Sequence, residues 1–430
     1  MKKTKFFGWQ QVILLSILYG FGYNMSNSAL AISNATMLAG GQVAMTASMY
    51  GLSYSLFSLM QGPSQPIVGK LVKKFGPKKI LIGGNFLLVL VAFLIPNFIS
   101  SGITFVIGYG LIFGINAVMI NQLAPQTLIN NWFHQRLGQA QVLMRAISTT
   151  LVVAVPYLTT YVINNFGKGN FKAGWYFAGF GALISMVFSF FLKETPDKYG
   201  QTPDGINIEL DAKENRKIAA TVYKRPIGKD IAYKDAIKMP QFWLMVVVAA
   251  IGFMCLMTKS YNDVYHASIG ISMENISIAV GVATACNILF MFFISAILDK
   301  FEPAFVIGVV FVIFAFNGVL SWLQVGTFIV YTNSILTLLI NSSTMTIMPA
   351  IYANYFGRAN FPQIQGLSLL ISGLLSSTTG IIGGYIKDLT GSYAIAYLLY
   401  GALALVAAFI AFFLIGVPSI KKYRNEMNQS

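Results

Sequence analysis

A short basic turn between two apolar runs constrains this chain more than any other stretch. Gly69-Lys70-Leu71-Val72-Lys73-Lys74-Phe75-Gly76-Pro77-Lys78-Lys79 separates an apolar run of roughly Thr46 to Val68 from another of roughly Ile80 to Pro96. Each run is long enough to cross a bilayer, for which a helix needs about 20 mainly apolar residues. Two such helices joined so briefly form an antiparallel hairpin, and the lysines of the turn hold it on the cytoplasmic side. The turn then recurs. Ser295-Ala296-Ile297-Leu298-Asp299-Lys300-Phe301-Glu302-Pro303 again lies between apolar runs, and Lys74, Phe75 and Pro77 return as Lys300, Phe301 and Pro303, each 226 positions on. A hairpin turn repeated half a chain apart predicts two similar membrane halves.

Composition excludes the soluble alternative. Hydrophobic residues make up 56% and charged residues only 10%, against about 25% charged in soluble chains. The net charge of +15 does not indicate a nucleic-acid partner, because the basic residues sit in short turns between apolar runs, as the positive-inside bias requires. Cys255 and Cys286, the two cysteines, both fall inside apolar runs and predict no disulfide framework. The basic start, Met1-Lys2-Lys3-Thr4-Lys5, precedes an apolar run of span length and reads as the lead into a first membrane helix.

Twelve spans are expected, all α-helical. They form an N-terminal six-helix half over residues 1–192, a cytoplasmic linker over 193–238, a C-terminal six-helix half over 239–416 and a cytoplasmic tail over 417–430. The linker carries Pro196, Pro203 and Pro226 and ten of the 29 basic residues. With the N-terminus inside, the predicted cytoplasmic segments hold 24 Lys and Arg, and the outer loops hold only Lys168, Lys172 and Lys387. That asymmetry predicts a multi-pass protein of the cell membrane with both termini in the cytoplasm. Two related halves of this kind describe a transporter architecture with its site between them near the midplane.

The residues resemble a known family. The basic turn resembles the cytoplasmic signature of the major facilitator superfamily. More narrowly, Gln61-Gly62-Pro63-Ser64-Gln65-Pro66, the turn after it, and Trp132-Phe133 with Gly138 and Ala140 resemble the oxalate–formate antiporter branch. Pro240-Gln241-Phe242-Trp243 resembles that branch's start of the seventh span. Thr195-Pro196, Tyr355-Phe356-Gly357-Arg358 and Asp388-Leu389-Thr390-Gly391 are similar to the wider group that includes monocarboxylate transporters. The resemblance implies a twelve-helix carrier that works by alternating access, with the two turns latching the cytoplasmic face. Two departures stand out. The acidic residue of the first turn is replaced by Lys73, although Asp299 keeps it in the second. The two cavity basic residues of the oxalate carrier fall on Met291 and Ser372 here, so a dicarboxylate held by that pair is unsupported.

Arg145 is the sharpest single signal. It lies about nine residues into the fifth span from Arg136, roughly 13 Å at 1.5 Å per residue, near the membrane centre. An arginine there costs about 2.5–3.5 kcal/mol on insertion scales, so it does not face lipid. Its planar fork suits an anionic substrate; the other reading is a structural arginine bonded to helix carbonyls or amides. Lys259 and Asp263, spaced to meet on a helix, form either a gate or second anion contact at the outer mouth, or a solvated pair at a helix end. Asn24 and Asn27, Asn116 and Asn121, Asn287 and Asn341 are amides at membrane depth that line a wet cavity or bond between helices. Tyr19, Tyr23, Tyr54, Phe57 and Tyr157 form a cavity wall or ordinary packing.

The first acid in the chain is Glu194, so the N-terminal half has no carboxylate. The acids of the C-terminal half fall near predicted span ends, and His266 is expected at the outer surface. Coupling through a central carboxylate is therefore not expected, with Asp263 and His266 as the titrating exceptions; exchange or uniport fits better. No Walker-type phosphate loop, catalytic constellation or metal-ligand cluster appears, so no cofactor and no enzyme activity are expected. The reading that results is an exchanger or secondary transporter of a small organic anion, a carboxylate, working as a monomer in the bilayer. Its rivals are efflux of amphipathic drug-like or sterol-like compounds, and a transporter-like membrane receptor.

Overall fold

The computed structural model of the chain describes residues 6–121, 123–133, 137–203, 231–298, 301–324, 326–356 and 361–415. Among them every regular element is helical, as a bilayer demands, because only a helix satisfies its own backbone groups within one span. Nine helices among the described residues are long and apolar enough to cross a membrane. Three further helical stretches, 8–39, Ala47–Phe75 and Lys172–Ser189, stand where the first, second and sixth spans are expected and are not among those nine. Asp299, most of the linker and the tail lie outside the described residues.

The sequence repeat is printed on the helix boundaries. Helices open on Pro77 and on Pro303, where proline's preset φ suits the first turn and its missing N–H costs nothing. Helices also stop at Thr150 and Ser376, again 226 positions apart, and resume at Val155 and Thr379. The fifth and eleventh spans are thus interrupted at corresponding points. The seventh is interrupted too, where Pro240–Met257 gives way at Thr258 to Lys259–Ser268. In the first span the break is a π-helical turn, Gly20–Asn24, between Gly8–Tyr19 and Met25–Ala39; such turns are frequent at functional sites.

The chain divides into two compact units that cut across chain order. The first holds Met1–Ser33, Pro63–Phe98 and Ile112–Pro226. Its core joins Val12, Leu15 and Leu18 to Leu81, Leu128, Trp132 and Met144, all buried. Trp132 Nε1 donates to the Lys193 carbonyl at 2.8 Å, Asn131 Nδ2 to the Glu194 carbonyl at 3.1 Å, and the Lys193 N–H to Gln11 Oε1 at 2.8 Å. These bonds pin the end of the sixth span against the last residues of Leu123–Trp132 and against Gly8–Tyr19. In the basic turn Gly76 takes φ 86°, a left-handed conformation that glycine adopts without strain.

The second unit holds Asn34–Gly62, Ile99–Leu111 and Ile227–Ser430. Helices Pro303–Leu323 and Ala394–Phe409 pack closely through Gly318 and Gly401, where an added Cβ on Gly318 would lie 3.1 Å from the Gly401 Cα. Small residues permit this approach when lipid supplies no hydrophobic drive between helices. The same device joins Ala47–Phe75 to Thr379–Thr390: a Cβ on Gly51 would stand 2.0 Å from the Gly380 carbonyl oxygen, and one on Gly384 would stand 2.3 Å from the Ala47 oxygen. The Ile381 N–H donates to Ser55 Oγ at 3.0 Å along this seam. At its end the Asp388 carboxylate accepts from the Ala47 N–H at 3.1 Å, the Ser48 N–H at 2.9 Å and the Ser48 hydroxyl.

Candidate functional site

In the first unit the π turn and the interrupted fifth span bring six of the expected residues together. Tyr19 and Tyr23 stand with ring centroids 5.7 Å apart. The Tyr19 hydroxyl donates to Asn121 Oδ1 at 2.5 Å, and Asn27 Nδ2 donates to the Tyr23 hydroxyl at 3.1 Å. Asn24 Nδ2 reaches across to Ser148 Oγ at 3.4 Å, on the helix Leu137–Thr150 that carries Arg145. Arg145 lies within electrostatic range of both the Tyr19 and Tyr23 hydroxyls. It is exposed, and among the described residues its guanidinium makes no hydrogen bond and no ion pair. The single ion pair within 4.0 Å among those residues is Lys198 with Glu194. The structural role for Arg145 requires carbonyl or amide partners, and none is in place among the described residues.

Asn116 does not join this group. It is fully buried and donates to the Gly84 carbonyl at 2.8 Å, tying Gly114–Asn121 to Pro77–Phe98. Tyr157 is 44% exposed, on the helix beyond the break in the fifth span. Lys73 is exposed in the last turn of Ala47–Phe75.

In the second unit Tyr54 belongs to an aromatic cluster with Tyr50, Phe105 and Tyr109, with the Tyr54 and Tyr109 centroids 4.7 Å apart and those of Tyr50 and Tyr54 5.1 Å apart. Phe57 stacks on Tyr109 at 5.5 Å. The Tyr50 hydroxyl donates to Tyr54 at 3.3 Å, and Asn34 and Tyr109 lie close to the Tyr54 hydroxyl. Asp263 lies within electrostatic range of Tyr50, Tyr54 and Tyr397 and of Lys259. Asp263 is only 8% exposed. Lys259, one turn earlier, is exposed.

His266 corrects a sequence expectation. It is fully buried rather than at the surface, because Pro240–Met257 and Lys259–Ser268 together run far enough to keep it packed against Phe328–Phe356. There it shares a 3.1 Å hydrogen bond with the Asn333 amide. Asn287 accepts a hydrogen bond from the Ser342 hydroxyl, between helices. Asn341 is half-buried. Ser372 is fully buried one turn before the break in the eleventh span, with its hydroxyl unpartnered.

Sequence reasoning passed over Tyr50, Asn34, Tyr109 and Tyr397. The signal for Tyr50 was its spacing of four from Tyr54, which puts both on one helix face; the rest are brought in by folding alone. A cavity of about 480 Å³ lined by Thr46, Ala47, Val264, Lys387, Asp388 and Tyr393 opens at the end of the glycine seam.

Interrupted helices that present polar and charged groups at membrane depth define a class, the helical membrane carriers. A family model described as Major Facilitator Superfamily matches residues 12–331, and the chain belongs to that superfamily. It is a multi-pass membrane transporter of the secondary type, not an enzyme. Among solved structures it is similar to a D-xylose–proton symporter, with TM-score 0.70 and 13% identity over 97% of this chain and 99% of that one. It is also similar to a mutant of the nucleoside transporter NupG, with TM-score 0.69 and 14% identity over 95% of this chain and all of the other. At such identities the likeness shows the fold alone. No curated protein matches the sequence.

Proposed function

We propose that this transporter moves a small organic anion, a carboxylate, across the cell membrane by exchange, with Arg145 as the anchor. The observation that carries the proposal is the unpaired guanidinium of Arg145 beside Tyr19, Tyr23 and the π turn. A charge held at membrane depth without a protein partner is costly, and a bidentate carboxylate offsets that cost. Tyr23, Asn24 and Asn27 supply further polar contacts in the same unit. Tyr54, Asn116, Asn287, Asn341 and Ser372 remain the wider recognition set, and Lys259, Asp263, Lys73 and Asp299 the gating residues. The architecture behind this reading is twelve spans in halves over 1–192 and 239–416, joined by a linker over 193–238 and followed by a tail over 417–430. The protein works as a monomer with both termini cytoplasmic, in the oxalate–formate branch of the superfamily.

Counterflow in proteoliposomes tests the proposal. Vesicles loaded with an unlabelled carboxylate should accumulate the labelled one, and Arg145→Gln should need roughly ten- to a hundredfold more substrate to do so. A protein that binds the label without accumulating it is a receptor. Accumulation of uncharged amphipathic compounds in place of carboxylates supports the second reading, efflux, which the aromatic cluster around Tyr54 favours.

A further inference from the structure

Asp263 is a carboxylate more than nine-tenths buried that, among the described residues, makes no hydrogen bond and no ion pair within 4.0 Å. Buried carboxylates ordinarily carry partners, because an uncompensated charge in a low-dielectric site is unfavourable. Two of the three hydroxyls within its electrostatic range are committed elsewhere. Tyr397 donates to Asn262 Oδ1 at 2.6 Å, and Tyr50 donates to Tyr54 at 3.3 Å. Among the described residues the single cation in range is Lys259, one helical turn earlier on Lys259–Ser268, exposed and standing apart. A spacing of four lets the two side chains meet, so Lys259 is a tethered counter-ion that is free to approach Asp263 or leave it.

We infer that Asp263 is a binding site for a ligand's ammonium group, for which the Lys259 ammonium is the built-in competitor. The chemistry that suits the Lys259 side chain suits a ligand with the same head group. The tyrosines point the same way. Tyr50, Tyr54 and Tyr397, which lie within electrostatic range of the carboxylate, are the ring type that attracts an organic ammonium. A divalent metal does not fit, since it needs several oxygen ligands and no group of three His, Cys, Asp or Glu converges among the described residues. The inference stands apart from the Arg145 proposal: it concerns residues of the second unit alone and holds whatever Arg145 binds.

The test uses the full-length protein in nanodiscs, with methylammonium chloride as the probe and potassium chloride keeping ionic strength constant. Two readouts are taken: thermal stabilisation, and the rate at which a hydrophobic carbodiimide modifies Asp263, followed by peptide mass spectrometry. Methylammonium should slow modification in the native protein. In Lys259→Met it should do so at roughly tenfold lower concentration, because the competitor is gone. Asp263→Asn should show no stabilisation by methylammonium. If that variant does not fold, the carbodiimide rates in the native protein and Lys259→Met decide alone. Equal protection in those two overturns the competition. Protection by sodium chloride equal to or better than that by methylammonium overturns the ammonium assignment in favour of an inorganic cation. A folded Lys259→Met whose Asp263 no cation protects overturns the site altogether.

Discussion

Arg145 and Asp388 show how far a single side chain can be read. If Arg145 anchors an anion, Arg145→Lys keeps the charge but loses the planar fork, and binding should weaken severalfold with folding intact. Arg145→Gln should cost about 1.5–3 kcal/mol, roughly ten- to a hundredfold in affinity, the range for a hydrogen bond to a charged group. It should also shift preference toward uncharged analogues such as the substrate amide or ester, measured by competition in proteoliposomes. An unchanged affinity for an anionic substrate in folded Arg145→Gln rules the anchor out. The sequence exposed Arg145 because a charge inside an apolar run is conspicuous whatever the fold. Asp388 was not conspicuous, since an acid at a span end is ordinary. Only the fold puts its carboxylate on the Ala47 and Ser48 N–H groups, where it caps a helix and meets the positive end of its dipole. Asp388→Asn keeps an acceptor and loses the charge; Asp388→Ala loses both and should cost about 1 kcal/mol. Thermal melting in nanodiscs should rank native above Asn above Ala, and a melt unchanged by Ala would mean that the cap contributes nothing.

At the scale of elements the legible features were those with a local cause. Pro77 and Pro303 stand at helix starts with the 226-position spacing of the repeat, and the stops at Thr150 and Ser376 keep the same spacing, although the sequence alone predicts unbroken spans there. What could not be read was contact between distant helices. Gly51, Gly380 and Gly384 are three glycines among many in the sequence, and nothing local shows that their backbones meet. His266 was misplaced for the same reason: local spacing fixes where a helix runs, and its tertiary neighbours decide which end residues stay covered. The glycine seam is itself testable. Gly51→Val places a side chain where 2.0 Å separates its Cβ from the Gly380 oxygen, which no rotamer relieves. Overpacking typically costs about 1–3 kcal/mol, and here separation of Ala47–Phe75 from Thr379–Thr390 relieves it. In a background without Cys255 and Cys286, Ser48→Cys should therefore label faster with a water-soluble maleimide once Gly51→Val is added. An unchanged labelling rate would show that the seam absorbs the side chain without parting.

For the whole molecule, the charge asymmetry predicts an orientation that labelling tests. Cysteines at Asn170 and Lys387 should label from outside intact cells and cysteines at Lys78 and Lys198 should not; the reverse pattern overturns the topology. The coupling prediction follows from where the acids lie. The first acid in the chain is Glu194, and Asp263 is the one carboxylate among the described residues that is less than a tenth exposed. A proton-coupled carrier commonly uses an intramembrane carboxylate that is neutralised by a proton as the site turns over. Asp263 has another means of neutralisation in Lys259, a tethered cation one turn away on the same helix that is long enough to reach it, and a charge balanced in that way needs no proton from outside. The proton coupling named for the D-xylose carrier does not transfer, because 13% identity supports likeness of fold and nothing finer. Exchange of a labelled carboxylate against its unlabelled form should therefore continue at an undiminished rate when a protonophore collapses the pH gradient and membrane potential. Loss of exchange under those conditions, with binding intact, would assign the proton to Asp263, and Lys259→Met should then leave the exchange that remains more steeply dependent on pH.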